Sequence, residues 1–137
     1  MIYETFFQLI LSVVLGAIVG SERERKKKGA GFQTYSLICF GSCLFSVIAF
    51  HLGELKIIDP SLIIMAVAVG MGFIGGGVIN KKGEEIFGLT TASGLWATSA
   101  LGLAIGAKLY SLALFSTFLI LIIFILFGFI EEKFFKK

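Results

Sequence analysis

The chain is short of the residues on which catalysis and metal binding depend. Its 137 residues include one histidine, one proline and two cysteines, and only 15% of them are charged. The sequence contains no Ser/His/Asp set, HExxH motif, phosphate-binding glycine loop or pair of carboxylates deep within an apolar segment. Those patterns mark hydrolases, zinc proteases, nucleotide enzymes and acid–base catalysts. We therefore expect no enzymatic activity and no bound cofactor.

The cysteines and the histidine do not form a metal site that the sequence can identify. Cys39 and Cys43 are four residues apart and share one face of a helix, without a histidine or carboxylate nearby. Two such thiols make a poor metal site, and we interpret them as small packing residues. His51 lies near Glu54 and Asp59, where its charge could change between about pH 5 and 8. A pH-sensing role and no specific role both stay open, and the ligands of any metal remain unknown.

Long apolar segments fill most of the chain. Hydrophobic residues make up 57% of it and the mean hydropathy is +0.97, which excludes an ordinary soluble domain. A membrane-spanning helix needs about 20 apolar residues. The sequence predicts one all-α membrane domain over residues 1–137, without a soluble C-terminal domain. Its five transmembrane helices are predicted at about 3–21, 34–53, 61–80, 91–107 and 109–130.

The distribution of basic residues predicts the orientation of these helices. Ten of the twelve lysines and arginines follow helix one, helix three or helix five, and only Lys56 and Lys108 fall on the other side. The positive-inside rule then places the N-terminus outside and the C-terminus in the cytoplasm. The first helix is not a cleavable signal peptide, since its basic cluster follows the apolar stretch. The dense basic run at 21–33 indicates contact with lipid headgroups rather than with nucleic acid.

Glycine spacing predicts which helices pack closely. GxxxG pairs occur in helices one, three and four, and small residues at such spacing favour close helix–helix contact in membranes. We predict an inner bundle of these three helices, with the apolar helix five facing lipid. Five glycines fall within residues 70–77 of helix three. That density is compatible with close packing, with a kink, or with an unwound stretch whose carbonyls line a site. The expected packing residues are Gly16, Gly20, Gly76, Trp96, Gly102 and Gly106.

A polar pocket is predicted near the cytoplasmic ends of helices one, three and four. Glu22 follows the apolar part of helix one, and it either turns inward as a cation or proton ligand or pairs with Arg23 or Arg25 as an edge charge. The hydroxyls of helix four either line this pocket or bond to carbonyls of their own helix. The residues expected at an ion or substrate site are Glu22, Gly72, Gly75, Gly77, Asn80, Thr90 and Thr91.

Three stretches together resemble the membrane domain of the MgtC/SapB family, the group also named for YhiD. They are GAIVGSERERKKKGAGFQT, GMGFIGGGVI and GLTTASGLWATSALGLAIGA. The first is similar to the family's GxxxGxERE followed by AGxRT, with Gln33 where the family usually has arginine. Many relatives continue into a cytoplasmic domain, whereas this sequence ends at Lys137. The residues that the resemblance identifies as family motif positions are Glu22, Arg23, Gly72, Gly75, Gly77, Thr90, Thr91 and Trp96.

The resemblance implies a multi-pass protein of the bacterial inner membrane. The family is associated with magnesium limitation and acid stress, and its members have been described both as transporters and as regulators of other membrane proteins. Magnesium is thus implied as a substrate or ligand, and a membrane-protein partner is the alternative. One carboxylate is few for a magnesium site, but a homo-oligomer supplies further groups by symmetry.

Overall fold

The computed structural model describes residues 2–135 and consists mainly of long helices. Helices α1 to α4 span Ile2–Arg25, Phe32–Glu54, Pro60–Val78 and Leu89–Gly106. The fifth helix begins as α5 at Tyr110–Ile122, passes through a π-helical turn at Ile123–Phe127, and ends as α6 at Gly128–Phe134. The all-α prediction is confirmed, with the exception of one short hairpin.

Within residues 2–135, four helices are long and apolar enough to cross a membrane. They are α1, α2, α3 and the fifth helix over Tyr110–Phe134. Helix α4 is not among them, because its glycine, serine and threonine residues lower its hydropathy. It is also the helix with the most buried residues, since other helices cover it on several sides. The coarse prediction of a membrane-type helical protein holds, while the count of five spans and the orientation remain predictions.

The turn between α3 and α4 is a two-stranded hairpin that the sequence analysis missed. Strands β1 (Asn80–Lys82) and β2 (Glu85–Phe87) pair in antiparallel register. Helix α3 was expected to reach residue 80, but it ends at Val78. Gly83 makes the turn of the hairpin with a φ of +62°. Asn80, which the sequence analysis assigned to the end of helix three, is therefore the first residue of this hairpin.

The start of α3 follows the expected capping chemistry. Asp59 Oδ1 accepts a hydrogen bond from the backbone N–H of Ser61 at 2.9 Å, and Pro60 occupies the first turn. That hydrogen bond to the charged carboxylate lowers the pKa of Asp59. Asp59 is therefore the N-cap of α3, as an aspartate directly before a proline predicts from the sequence.

Helix α2 is the central helix, and glycines bring α1 and α4 close to it. A Cβ placed on Gly16 would lie 2.7 Å from Tyr35 O, and one on Gly20 would lie 2.9 Å from Gly31 O. A Cβ placed on Gly102 would lie 2.8 Å from Cys43 N. The close bundle is thus α1, α2 and α4, and not the predicted set of helices one, three and four. The reason is that α2 offers a small-residue face of its own, formed by Cys39, Ser42, Cys43 and Ser46.

Helix α3 lies at the edge of this bundle. It is continuous from Pro60 to Val78, so neither a break nor an unwound stretch interrupts it. Only Met71 and Gly75 are buried. A Cβ added at any of four other glycines would meet nothing within 4 Å, and these positions are Gly70, Gly72, Gly76 and Gly77. The helix is therefore open at these glycines, with Gly70 and Gly77 on one side of it and Gly72 and Gly76 on the other. Close packing, one of the three alternatives for this stretch, is found only at Gly75.

Helices α1, α2 and α4 are each followed, two residues after their last residue, by a lysine in the left-handed backbone region. Lys27, Lys56 and Lys108 have φ values of 50°, 57° and 63°. Two hydrogen bonds close the end of α2 around Lys56. The Lys56 N–H donates to Gly53 O at 2.9 Å, and the Ile57 N–H donates to Leu52 O at 3.0 Å. This is a Schellman ending, in which glycine is the usual residue. The left-handed conformation costs a residue with a Cβ about 1–2 kcal/mol relative to the right-handed one.

We predict that Lys56→Gly stabilises the protein by about 1 kcal/mol, because glycine adopts the left-handed conformation without steric cost. Thermal unfolding of purified protein in detergent should show a higher midpoint. The matched control is Lys56→Ala, which removes the same charge but keeps a Cβ and should not give the gain. Equal midpoints for the two variants would contradict the explanation.

Candidate functional site

Two opposite charges are buried next to each other near the C-terminal end of α1. Glu22 is 7% exposed and Arg23 is 4% exposed. A charged group away from water is strongly unfavourable unless neighbouring groups compensate it. The surroundings of this pair therefore decide what the pair can do.

Three neighbours compensate the Arg23 guanidinium. Its Nη2 donates to Thr91 Oγ1 at 3.1 Å, and its Cζ lies 4.4 Å from the ring centroid of Phe124. Its Nη1 lies 3.7 Å from Glu22 Oε2. A cation over an aromatic face contributes up to about 2 kcal/mol where water is excluded. The Nε of Arg23 nevertheless has no hydrogen-bond partner among the described residues.

The carboxylate of Glu22 is paired by charge but poorly hydrogen-bonded. Lys26 Nζ lies 2.9 Å from Glu22 Oε1, one helical turn further along α1. Within residues 2–135, however, neither carboxylate oxygen accepts a hydrogen bond of acceptable geometry. Lys26 Nζ also donates to the backbone carbonyl of Phe124 at 2.9 Å, and 36% of its side chain is exposed. We call Glu22, Arg23, Lys26, Thr91 and Phe124 the Glu22 cluster.

The fold holds this cluster with residues from α2 and from the π-helical turn. Tyr35 is a fully buried residue in the first turn of α2. Its hydroxyl donates a hydrogen bond to Thr91 O at 3.4 Å. Its ring meets the Phe124 ring edge to face, with 6.3 Å between centroids. Gly94 provides the space, because a Cβ there would lie 2.6 Å from the Tyr35 hydroxyl. The position of Phe124 is therefore fixed by three helices at once.

The predicted site residues do not converge on one pocket. Thr91 belongs to the Glu22 cluster, and Thr90 lines a neighbouring cavity together with Arg23. Gly72 and Gly75 instead line a separate cavity of about 360 Å³ between α3 and α4. Asn80 begins the hairpin, where it donates to Val78 O at 3.3 Å. Gly77 is exposed on α3, where an added Cβ would meet nothing within 4 Å.

Hydroxyls of helix α4 fall into two groups. Ser93 and Thr98 donate to Leu89 O and Gly94 O, the carbonyls four residues earlier in their own helix. Bonding to carbonyls of their own helix was one of the two alternatives that the sequence left open for these hydroxyls. Thr91 differs, because it accepts the hydrogen bond of Arg23 and so contacts another helix.

Trp96 links α4 to α3. Its indole Nε1 donates to Ala68 O at 3.2 Å, although 52% of the residue is exposed. A Cβ placed on Gly75 would make ordinary contact with Ala92, at 3.6 Å. These two contacts help to hold the peripheral helix α3 against α4.

The arrangement disfavours a preformed site for a divalent cation. Residues 2–135 hold no group of three or more His, Cys, Asp or Glu side chains that could bind a metal. A dication at Glu22 would also face the positive charges of Arg23 and Lys26. Such an ion would compete with the Lys26 ammonium, which lies 2.9 Å from Glu22 Oε1.

Sequence reasoning missed two members of the cluster. The pairing of Lys26 with Glu22 could have been predicted, because residues four apart on a helix face each other and Glu–Lys pairs at that spacing are favourable. Phe124 gave no signal, since it lies within a uniformly apolar run. Its carbonyl is reached by Lys26 where the helix widens into a π turn, a feature often found at functional sites.

Comparison with known proteins places the chain among bacterial membrane proteins. The model of the "MgtC family" matches residues 9–133. The chain is 36% identical over 130 residues to "Putative magnesium transporter YhiD" of Escherichia coli K12, covering 88% of this chain and 59% of that protein. It is 34% identical to Protein SrpB of Synechococcus elongatus, over 85% of this chain and 70% of SrpB.

A third relative is Protein MgtC of Salmonella typhimurium LT2. It is 30% identical over 121 residues, which cover 88% of this chain and 51% of that protein. The chain thus spans 59% of YhiD and about half of MgtC. No solved structure matches it.

We predict that Thr91→Val destabilises the protein by about 1–3 kcal/mol, because the buried guanidinium of Arg23 loses its hydroxyl acceptor while the side-chain shape is kept. Thermal unfolding in detergent measures the change. Thr90→Val is the matched control, since Thr90 is exposed and should tolerate the substitution. An equal effect at both positions would mean that the Arg23–Thr91 hydrogen bond is not the cause.

Proposed function

Because the chain belongs to the MgtC family, we propose that it serves magnesium or acid-stress homeostasis in the bacterial inner membrane by moving ions past the Glu22 cluster. The family match and the name of YhiD, which proposes magnesium transport, support the physiological part. The observation that carries the mechanism is the buried Glu22 carboxylate, whose two oxygens accept no hydrogen bond from the described residues.

Lys26 acts in this proposal as an internal cation that competes with the transported one. Its ammonium is 2.9 Å from Glu22 Oε1, yet its side chain is over one-third exposed. It can therefore swing toward water and leave the carboxylate to an entering cation. Magnesium is normally bound through one or two carboxylates while it keeps several waters.

Other parts of such a site come from a second copy of the chain. A single carboxylate beside Arg23 is too little negative charge to hold a divalent ion alone. A symmetric homo-oligomer would bring a second Glu22 and further oxygen ligands without any new sequence element.

A regulatory function without transport is the second candidate, and the open face of α3 favours it. Gly72 and Gly76 are one helical turn apart, and a Cβ on either would meet nothing within 4 Å. Glycine on a membrane helix allows another backbone to approach closely, and small-residue faces of this kind are typical of helix–helix contacts. We propose that this face binds a helix of another membrane protein or of a second copy.

For the transport proposal we predict opposite effects of two neutralising variants. Glu22→Gln should lower magnesium flux into proteoliposomes about tenfold or more, since it removes the only buried carboxylate of the cluster. Lys26→Gln should lower the magnesium concentration that gives half-maximal flux, since it removes the competitor. Glu84→Gln in the exposed hairpin is the control and should leave flux unchanged. Wild-type liposomes without magnesium flux would overturn transport itself.

For the regulatory proposal we predict that Gly72→Leu and Gly76→Leu each abolish complexes recovered in mild detergent while the fold survives, because both positions are open in the single chain. Native mass spectrometry of the purified complexes measures this. Gly102→Leu is the contrasting variant: it should unfold the protein, because its Cβ would collide with α2. Complexes that persist in both α3 variants would exclude this face.

A further inference from the structure

A polar cavity opens beside the Glu22 cluster at the basic end of the helices. Its volume is about 290 Å³. It lies between the end of α1, the start of α4 and the π turn with α6. Ile123 and Phe127 contribute apolar walls. The polar lining residues are Arg23, Lys26, Lys28, Thr90, Glu131 and Glu132.

One side of the cavity is suited to a phosphate group. Arg23 is 4% exposed, and its Nε has no partner among the described residues. Thr90 is in the first turn of α4, an 18-residue helix whose first N–H groups have no carbonyl partner within the helix. Such helix starts attract anions, and arginine and lysine bind phosphate oxygens strongly. Lys28 is the third positively charged residue of the lining, beside Arg23 and Lys26.

The other side of the cavity is suited to an ammonium group. Glu131 and Glu132 are consecutive residues of α6, and both are exposed. Two carboxylates so close to the phosphate side would repel a simple anion. They would instead attract the positive end of a molecule that carries both charges. A zwitterion therefore fits this lining better than inorganic phosphate does.

The position of the cavity indicates where such a molecule comes from. The π turn and α5 belong to the helix that is apolar enough to cross a membrane, and the basic residues follow its end and that of α1. A headgroup at this level would have its acyl chains alongside the exposed side chains of Ile123 and Phe127.

We propose that this cavity binds the headgroup of a phosphoethanolamine lipid. The phosphodiester contacts Arg23, Lys28 and the start of α4, and the primary ammonium contacts Glu131 and Glu132. This site does not depend on ion transport, because Glu22 takes no part in it. The lipid would brace α1, α4 and the fifth helix at the point where the Glu22 cluster is held.

Native mass spectrometry of the full chain in detergent tests the proposal with lipids of identical acyl chains. Phosphatidylethanolamine should bind about tenfold more tightly than phosphatidylcholine, since the quaternary ammonium of the latter cannot donate hydrogen bonds and one such charge-assisted bond is worth about that factor. The double variant Glu131→Gln/Glu132→Gln should lose this preference. The matched control is Glu84→Gln/Glu85→Gln in the hairpin, which should keep it.

A second variant tests the phosphate side separately. Lys28→Gln should weaken the binding of both lipids, because both carry the phosphodiester. Three results would overturn the proposal: equal binding of the two lipids by the wild type, tighter binding of phosphatidylglycerol, or full displacement of the lipid by millimolar inorganic phosphate. The last two would identify an anionic-lipid site and a free-phosphate site, respectively. Circular dichroism confirms that each variant is folded, and the exposed positions make misfolding of the glutamine variants unexpected.

Discussion

The close approach of α1 and α4 to α2 is the constraint on which the rest of the structure depends. Apolar side chains gain little by leaving lipid for one another, so van der Waals contact between backbones must hold membrane helices together. Gly16 and Gly20 provide that contact for α1, and Gly102 and Gly106 provide it for α4. With both helices against α2, the end of α1 meets the start of α4, and Arg23 reaches Thr91. A methyl group at any of these glycines would separate the two helices from α2 and pull the cluster apart.

The buried charges follow from this geometry. Arg23 faces the interior because α4 offers a hydroxyl and the fifth helix offers an aromatic face at the right distance. Phe124 can do this only because Tyr35 and the small Gly94 fix its ring. The basic residues at this end therefore have two roles. Lys27 and Lys28 of the loop are exposed, and Lys28 lines the cavity beside the cluster. Arg23 and Lys26 instead join α1 to α4 and to the fifth helix.

Sequence patterns predicted the helices well and the site only in part. The helical fold, the Asp59 cap and the helix bounds to within a few residues follow from local rules of hydropathy and capping. The packing partners do not: a GxxxG pair shows that a face is small, but it does not show which other face it meets. Hence α2 was overlooked, and α3, the richest in glycine, is at the edge. Glu22 was identified as the candidate carboxylate. The position of Phe124 depends instead on a π turn, and no residue of its apolar run indicates that turn.

Helix α4 connects the sites of the two proposed functions. Trp96 and Ala92 of α4 contact α3, while Thr91 of the same helix accepts the hydrogen bond of Arg23. A helix that binds to the open face of α3 does not touch Glu22, so it can affect the cluster only by shifting α3 against α4. Such a shift would change the Arg23–Thr91 distance first, because Thr91 lies in the same turn as Ala92. Weakening that bond would leave Arg23 more dependent on Glu22 and would bring it into competition with Lys26 for the carboxylate. The two proposed functions would thus share helix α4, and a partner on α3 would control the availability of Glu22 without being part of an ion pathway.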